Sequence, residues 1–384
     1  MRPMMQQLRA ELRRRQREIV RLLGQFVRCE SPSHDKPSVD QMARIVARQW
    51  RSRGAKVRIL AERARGDHVR AEVWLGRGRP TGQILVLGHL DTVYPLGTLA
   101  KTPFRISAGR AWGPGTFDMK AGLVLALAAV DALQSLRLRP AKRLVFFWNS
   151  DEEIDSESSR YRIESEAKRS DLVLVLEPAL GPEGHLKTAR KGVGTAELIV
   201  TGRSAHAGLS PQAGVNAVHE LALQTVRLMK MNDPRRGITV QVTVLEGGTV
   251  PNVVPDAARA QMDLRVKRMA DAAPLERNLR SLRPILPGAQ IEVRGGINRP
   301  PLERAAGGLD LFRQARSLMR EIGEPLEESF AGGGSDGNFT AALGVPTLDG
   351  LGAVGDGAHS PREHVVIRSL PDRGALLAGL LRTL

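Results

Sequence analysis

Ile84-Leu85-Val86-Leu87-Gly88-His89-Leu90-Asp91 passes from four consecutive apolar residues straight into a histidine and an aspartate two positions apart. A short apolar run without alternation suits a strand covered on both faces, as in a mostly parallel sheet. Sheets of that kind place their sites at the carboxyl ends of the strands. The pattern recurs: Leu144-Val145-Phe146-Phe147-Trp148 leads into Asn149-Ser150-Asp151-Glu152-Glu153, and Leu172-Val173-Leu174-Val175-Leu176 leads into Glu177. Helical periodicity is expected from about Gln6 to Val27, from Val39 to Arg53 and from Ala121 to Leu136. The predicted fold class is therefore α/β, with a mostly parallel central sheet flanked by helices.

From about Val193 the pattern changes. A strand at Glu197-Leu198-Ile199-Val200, a helix from Asn216 to Met231 and strands from Ile238 to Leu245 and from Ala258 to Val266 come first. A helix near Leu275 to Leu282 and a strand at Gln290-Ile291-Glu292-Val293 complete a β-α-β-β-α-β order, the plan of an open-faced sandwich. The expected division is 1–192 for the first part of a main domain, 193–299 for an inserted domain and 300–384 for the second part. No internal repeat and no low-complexity segment is seen.

Composition bounds the function. With 42% hydrophobic and 26% charged residues, the chain reads as soluble and globular. No apolar stretch approaches the roughly 20 residues that span a bilayer. Met1-Arg2-Pro3-Met4-Met5-Gln6-Gln7-Leu8-Arg9 lacks the apolar core of a secretory signal, and a cytoplasmic location is expected. The lone Cys29 has no internal disulfide partner and reads as a small buried hydrophobe. A net charge of +16 raises nucleic acid as a partner, but the arginines are scattered and aromatics make up only 4%. That argues against a stacking platform for single strands. The positive field more readily suits anionic small substrates.

Taken singly, the polar residues at the strand ends have ordinary readings. His89 and Asp91 fit a satisfied turn, Asp118 in Gly113-Pro114-Gly115-Thr116-Phe117-Asp118 fits a helix N-cap, and Glu152 and Glu153 fit an exposed acidic loop. His206 fits a surface turn, Arg265 an ordinary strand position, and Gly332-Gly333-Gly334-Ser335-Asp336 a flexible turn. The second reading is chemical. Asp91 would orient His89 as a metal ligand, Asp118 would offer its two oxygens to two cations, and consecutive acids would divide into one ligand and one free base. An unpartnered carboxylate at Glu177, ending a buried strand, would be costly unless something satisfied it.

Together with His359 in Gly357-Ala358-His359-Ser360-Pro361, these motifs resemble the di-zinc aminoacylase and glutamate carboxypeptidase superfamily, with acetylornithine deacetylase and succinyl-diaminopimelate desuccinylase. Arg190-Lys191-Gly192-Val193-Gly194 and Gly202-Arg203-Ser204-Ala205-His206-Ala207-Gly208 are most similar to the glutamate carboxypeptidase type. The resemblance implies a zinc-exopeptidase-like fold with the inserted domain as lid and dimerisation module, and two zinc ions per subunit, with cobalt or manganese also suited to the donors. It implies that Asp118 bridges the metals, that His89 and Glu177 complete one site and Glu153 and His359 the other. Glu152 would be the general base, and Asp91 would orient His89. His206, Asn252, Arg265, Gly334 and Ser335 would meet substrate, with His206 reaching a neighbouring subunit. The expected activity is removal of a C-terminal, acidic amino acid from a peptide or N-acyl conjugate. A broad N-acyl amino acid deacylase and a catalytically silent metal-binding or nucleic-acid-associated protein stand as alternatives. The family commonly has Gly-Ser after Glu153-Ile154, where this chain has Asp155-Ser156 and then Glu157, which bears on the loop geometry and the pocket.

Overall fold

The computed structural model describes residues 3–384; Met1 and Arg2, which open the segment read for a leader, lie outside them. The chain divides into two compact units. One comprises the residues up to Ala189 with Arg304–Ala331 and Ser335–Leu384; the other comprises Arg190–Glu303 with Gly332–Gly334.

The larger unit is built on a six-stranded sheet. From one edge its strands are Lys56–Leu60, His68–Val73, Arg143–Asn149, Gln83–His89, Leu172–Val175 and Thr347–Leu348. The four strands from Arg143 onward in that order run parallel. The first two form an antiparallel hairpin added at the edge. Every residue of Gln83–His89 is buried, as the unbroken apolar run requires of a strand covered on both faces. The edge hairpin went unread in the sequence because its strands carry charged residues and no comparable apolar run.

Helices cover the sheet for similar reasons. Ala121–Ser135 is apolar around almost its whole circumference, and 12 of its residues are buried, so it is a core helix rather than an amphipathic surface one. Gly122 allows its first turn to meet the carbonyl oxygen of Leu176, where a Cβ would stand only 2.4 Å away. Lys36–Arg51 is capped by Asp35, whose carboxylate accepts the Ser38 N–H at 3.0 Å. Trp50 at its buried end stacks on Phe146, with ring centroids 4.1 Å apart. The single opening helix expected over Gln6 to Val27 is instead two helices, Met4–Arg14 and Gln16–Val27, broken at Arg15. The first packs chiefly on the C-terminal helix Leu370–Thr383, and both pack on Ala121–Ser135. Cys29 is buried and unpaired, and no helix among the described residues is long and apolar enough to cross a membrane.

The smaller unit has a four-stranded antiparallel sheet in the order Thr239–Gly247, Ala257–Val266, Gly192–Thr201, Gln290–Arg299. Helices Ala217–Met229 and Met269–Arg280 pack on it. Alternate residues of Ala257–Val266 are buried, so one face packs on the helices. A separate ladder pairs Ala205–His206 with Val253–Val254.

Arg373 closes the larger unit from within. Buried on the last helix, it donates Nε to the carbonyl of Gly352 at 2.8 Å, one terminal nitrogen to Gly184 at 3.0 Å, and the other to Gly350. Burial pushes its pKa down to about 10, so it stays charged at neutral pH. Replacing it by methionine would leave three carbonyls without their donor. Arg373→Met is predicted to lower the denaturant unfolding free energy of the protein by about 3 kcal/mol or more; a loss within experimental error would contradict this assignment.

Candidate metal centre

Three parallel strands deliver polar residues to one end of the sheet. His89 is the last residue of its strand, Glu152 and Glu153 form a short 3-10 turn just after Asn149, and Glu177 follows Val175 by two residues. Asp118 arrives from the glycine turn that opens the helix Ala121–Ser135. Gly115 there has φ 69°, a left-handed conformation open to glycine without a Cβ penalty. His359 enters from the far end of the chain and is itself held at φ 59°, an uncommon and costly state for a residue with a side chain.

The five are gathered around Asp118. Its Oδ1 lies 3.2 Å from His89 Nε2, and its Oδ2 lies 3.5 Å from His359 Nε2. Glu177 stands on the first side, with Oε1 3.7 Å from His89 Nε2. Glu153 stands on the second, with Oε2 3.2 Å from His359 Nε2. Donor atoms of His89, Asp118 and Glu153 all fall within 4.8 Å of one another.

Electrostatics makes this a cation site. Burial disfavours charge on His89, but its bonds to Asp118 and Asp91 outweigh burial and hold its pKa well above the usual value. Hydrogen bonds to Asp118 and Glu153 push His359 up to about 10, and burial raises the Glu153 carboxyl. Glu153 Oε1 is buried without a hydrogen-bond partner, a costly arrangement that a bound cation would relieve. Imidazole and carboxylate donors converging around an oxygen of this kind fit divalent metal.

Asp91 has a wider role than the spacing suggested. His89 Nδ1 is nearer the Asp91 carbonyl oxygen, at 3.0 Å, than its carboxylate, at 3.4 Å. Donation of Nδ1–H to that carbonyl leaves Nε2 directed at Asp118. The carboxylate meanwhile accepts the Ser33 hydroxyl at 2.7 Å and the N–H groups of Glu152 and Glu153 at 3.3 and 3.2 Å. It thus fixes the two acids to the histidine strand.

The altered loop after Glu153 is also accounted for. Asp155 takes φ 77° and Ser156 φ 55°, so Asp155 adopts the backbone that a glycine would take most cheaply, one that aspartate tolerates better than most residues. Ser156 donates its hydroxyl to Asp336 at 2.6 Å, and Asn149 Nδ2 donates to the same carboxylate at 2.8 Å. Asp155 and Glu157 are exposed.

The remaining expected substrate contacts are placed separately. In the smaller unit, His206 pairs with Val253 across the short ladder, and the Asn252 carbonyl accepts the Ala207 N–H, so His206 and Asn252 are neighbours. His206 Nδ1 accepts N–H bonds from Gly208 and Leu209, both at 3.1 Å, which puts the proton of the neutral ring on Nε2. Arg265 already grips Asp263 with Nε and a terminal nitrogen, at 2.8 and 2.7 Å. Gly334 holds its carbonyl to Arg190 at 2.9 Å. Ser335 is fully buried and donates its hydroxyl to Asp349 at 2.6 Å; its side chain clamps the turn and offers no open face to a substrate.

One residue was not found from the sequence. Glu363, 1% exposed, accepts backbone N–H bonds from Gly115, Phe117 and Asp118. Burial pushes its carboxyl up to about 7, with the bonds from Tyr94 and the backbone opposing the rise. In sequence it is one acid in a polar loop, and no local pattern separates it from a surface residue.

Comparison with known proteins places this geometry. Residues 85–383 match the model of peptidase family M20/M25/M40. Carboxypeptidase G2 of Pseudomonas sp. (strain RS-16) is 33% identical over 323 residues, covering 83% of this chain and 77% of its own length. In fold, the chain is similar to aminopeptidase PepT from Bacillus cereus, with a TM-score of 0.76, 21% identity and coverage of 96% and 98% of the two chains. It is also similar to an M20 family metallo-carboxypeptidase from Sulfolobus solfataricus, with a TM-score of 0.74, 17% identity and coverage of 95% and 98%. Sequence match, fold and a carboxylate-histidine cluster at the strand ends agree: the chain is a hydrolytic metalloenzyme and belongs to peptidase family M20/M25/M40.

Proposed function

We propose that the chain hydrolyses the amide bond joining a C-terminal, acidic amino acid to a peptide or acyl group. His89 and Glu177 would hold one zinc ion, His359 and Glu153 a second, and Asp118 would serve both. The observation that carries this reading is that the two oxygens of Asp118 face different histidines, each accompanied by its own carboxylate. When bound, the two cations supply Lewis acidity toward water and the amide carbonyl.

The work of the chain's own residues follows from their placement. Glu152 adjoins the ligand Glu153 in one tight turn, and its N–H is tied to Asp91. Its carboxylate takes the proton of the attacking water and passes it to the departing nitrogen. Asp91 keeps the His89 imidazole oriented through its carbonyl while its carboxylate anchors the Glu152 turn, so a single residue sets the base relative to the metal ligands. Glu152→Gln is predicted to lower kcat by about 10² to 10⁴ while the zinc content measured by atomic emission stays at the parent value. Near-parent turnover in a fully loaded variant would remove Glu152 from this role.

The carboxypeptidase name of the 33%-identical relative supports release of a C-terminal residue. The acidic preference rests on the resemblance of the Arg190 and His206 motifs and on the net charge of +16, which favours anions entering a cleft. Arg265 would recognise a substrate carboxylate with the part of its fork that Asp263 leaves available. On a panel of dipeptides and N-acyl amino acids differing only at the C-terminal residue, kcat/KM is predicted to be highest for glutamate. Its advantage over a neutral residue should shrink as salt rises. Equal rates across the panel would instead favour a broad N-acyl amino acid deacylase.

The smaller unit is proposed as the dimerisation module. Its strand Thr239–Gly247 lies at a sheet edge and exposes Val244 and Leu245, while the helix packed on that strand exposes Val218, Val226 and Met229. Exposed apolar residues along an edge strand mark an interface. Sedimentation is predicted to give twice the 41.8 kDa chain mass, and the double variant Val226→Asp, Leu245→Asp is predicted to sediment as a monomer.

A further inference from the structure

Glu363 lies four residues beyond His359, outside the ligand set, yet it holds more of the site's backbone than any ligand described above. Oε1 accepts the N–H groups of Phe117 at 2.7 Å and Asp118 at 2.8 Å. Oε2 accepts the N–H of Gly115 at 2.8 Å and the Tyr94 hydroxyl at 2.6 Å. The Glu363 carbonyl in turn accepts the Gly113 N–H at 3.2 Å. Tyr94 shares its hydroxyl with the carbonyl of Ser360, 3.0 Å away and next to His359. One buried carboxylate therefore gathers the whole Gly113–Asp118 turn and fastens it to the segment that carries His359.

The turn needs such an anchor. Gly113 has φ 150° and Gly115 φ 69°, so its course is set by residues with little conformational preference of their own. Coordination tolerates errors of only about half an ångström in its ligands, which places the demand on the groups that support them. Carboxylate is the chemistry required, because the position faces donors at both oxygens; an amide would turn its own NH2 toward donors on one side.

We propose that Glu363 is the positioning residue that aims Asp118 between the two cations and keeps it in register with His359. This rests on the ligand set proposed above. Because Asp118 serves both sites, loosening its turn weakens both cations together, whereas loss of a ligand on one side acts first on that side.

The test is zinc affinity, measured by competition with a chromophoric chelator on the full chain, together with circular dichroism and thermal melting in EDTA. Glu363→Gln is predicted to keep its secondary structure and to lose about 10- to 100-fold in affinity for both zinc equivalents. Tyr94→Phe, which leaves the three backbone bonds to Glu363 intact, is predicted to bind zinc nearly as the parent does. If Glu363→Gln does not fold, Glu363→Asp decides by the same criterion, since it keeps the charge but falls short of the turn. Parent affinity in the folded variant, or a lower melting temperature with unchanged affinity, would overturn the inference. Asp118→Ala separates the two levels of the argument. If it sheds zinc while the Glu363 variant retains both ions at parent affinity, only the role of Glu363 falls; if it retains two zinc ions, the ligand set falls and Glu363 with it.

Discussion

Carboxylate charge concentrated in a buried space is the constraint on which the rest of the site depends. Asp91, Asp118, Glu153 and Glu177 stand around two imidazoles, and one oxygen of Glu153 is buried without a hydrogen-bond partner. Buried like charges do not persist without compensation. The surrounding structure supplies part of it, through the N–H groups donated to Asp91, while the raised affinity of His89 and His359 for a proton marks where positive charge is drawn, a proton that a ligated metal would displace. Divalent metal is the natural remainder, and the fold can be understood as the scaffold that keeps those charges close together.

That scaffold uses rigid parts where aim matters. Three strands of a parallel sheet, buried on both faces, fix the origins of His89, Glu153 and Glu177. The two members that come from loops, Asp118 and His359, are held by side chains remote from them in sequence. Glu363 fastens the Asp118 turn to its own segment, four residues beyond His359, and the Tyr94 hydroxyl adds one further bond to the same carboxylate. Asp336 does similar work for the altered loop, gripping Ser156 and Asn149 so that a chain lacking the usual glycine still presents Glu152 and Glu153 in one turn.

The parts legible in the sequence were those with a local signature. Unbroken apolar runs marked three of the four parallel strands, and the histidine and carboxylates at their ends marked the cluster, because an apolar strand followed at once by polar residues leaves two adjacent, opposite patterns. Signals that depend on distant partners were not legible. The edge strands Lys56–Leu60 and His68–Val73 lack an apolar run, the break at Arg15 carries no proline or glycine to mark it, and Glu363 resembles any loop acid until Asp118 is brought beside it. Ser335, read as facing substrate, turns inward because Asp349, 14 residues later, takes its hydroxyl. Arg265, expected to meet a substrate carboxylate, is met first by Asp263, which the pleat places two residues away on the same face and within reach of its guanidinium.

Where the metals bind decides the role of every residue described above. Anomalous diffraction at the zinc edge from crystals of the zinc-loaded protein tests it most directly. The account predicts two peaks, one on either side of the Asp118 carboxylate, the first coordinated by His89 and Glu177 and the second by His359 and Glu153. A single peak, or peaks that do not share Asp118, would contradict it.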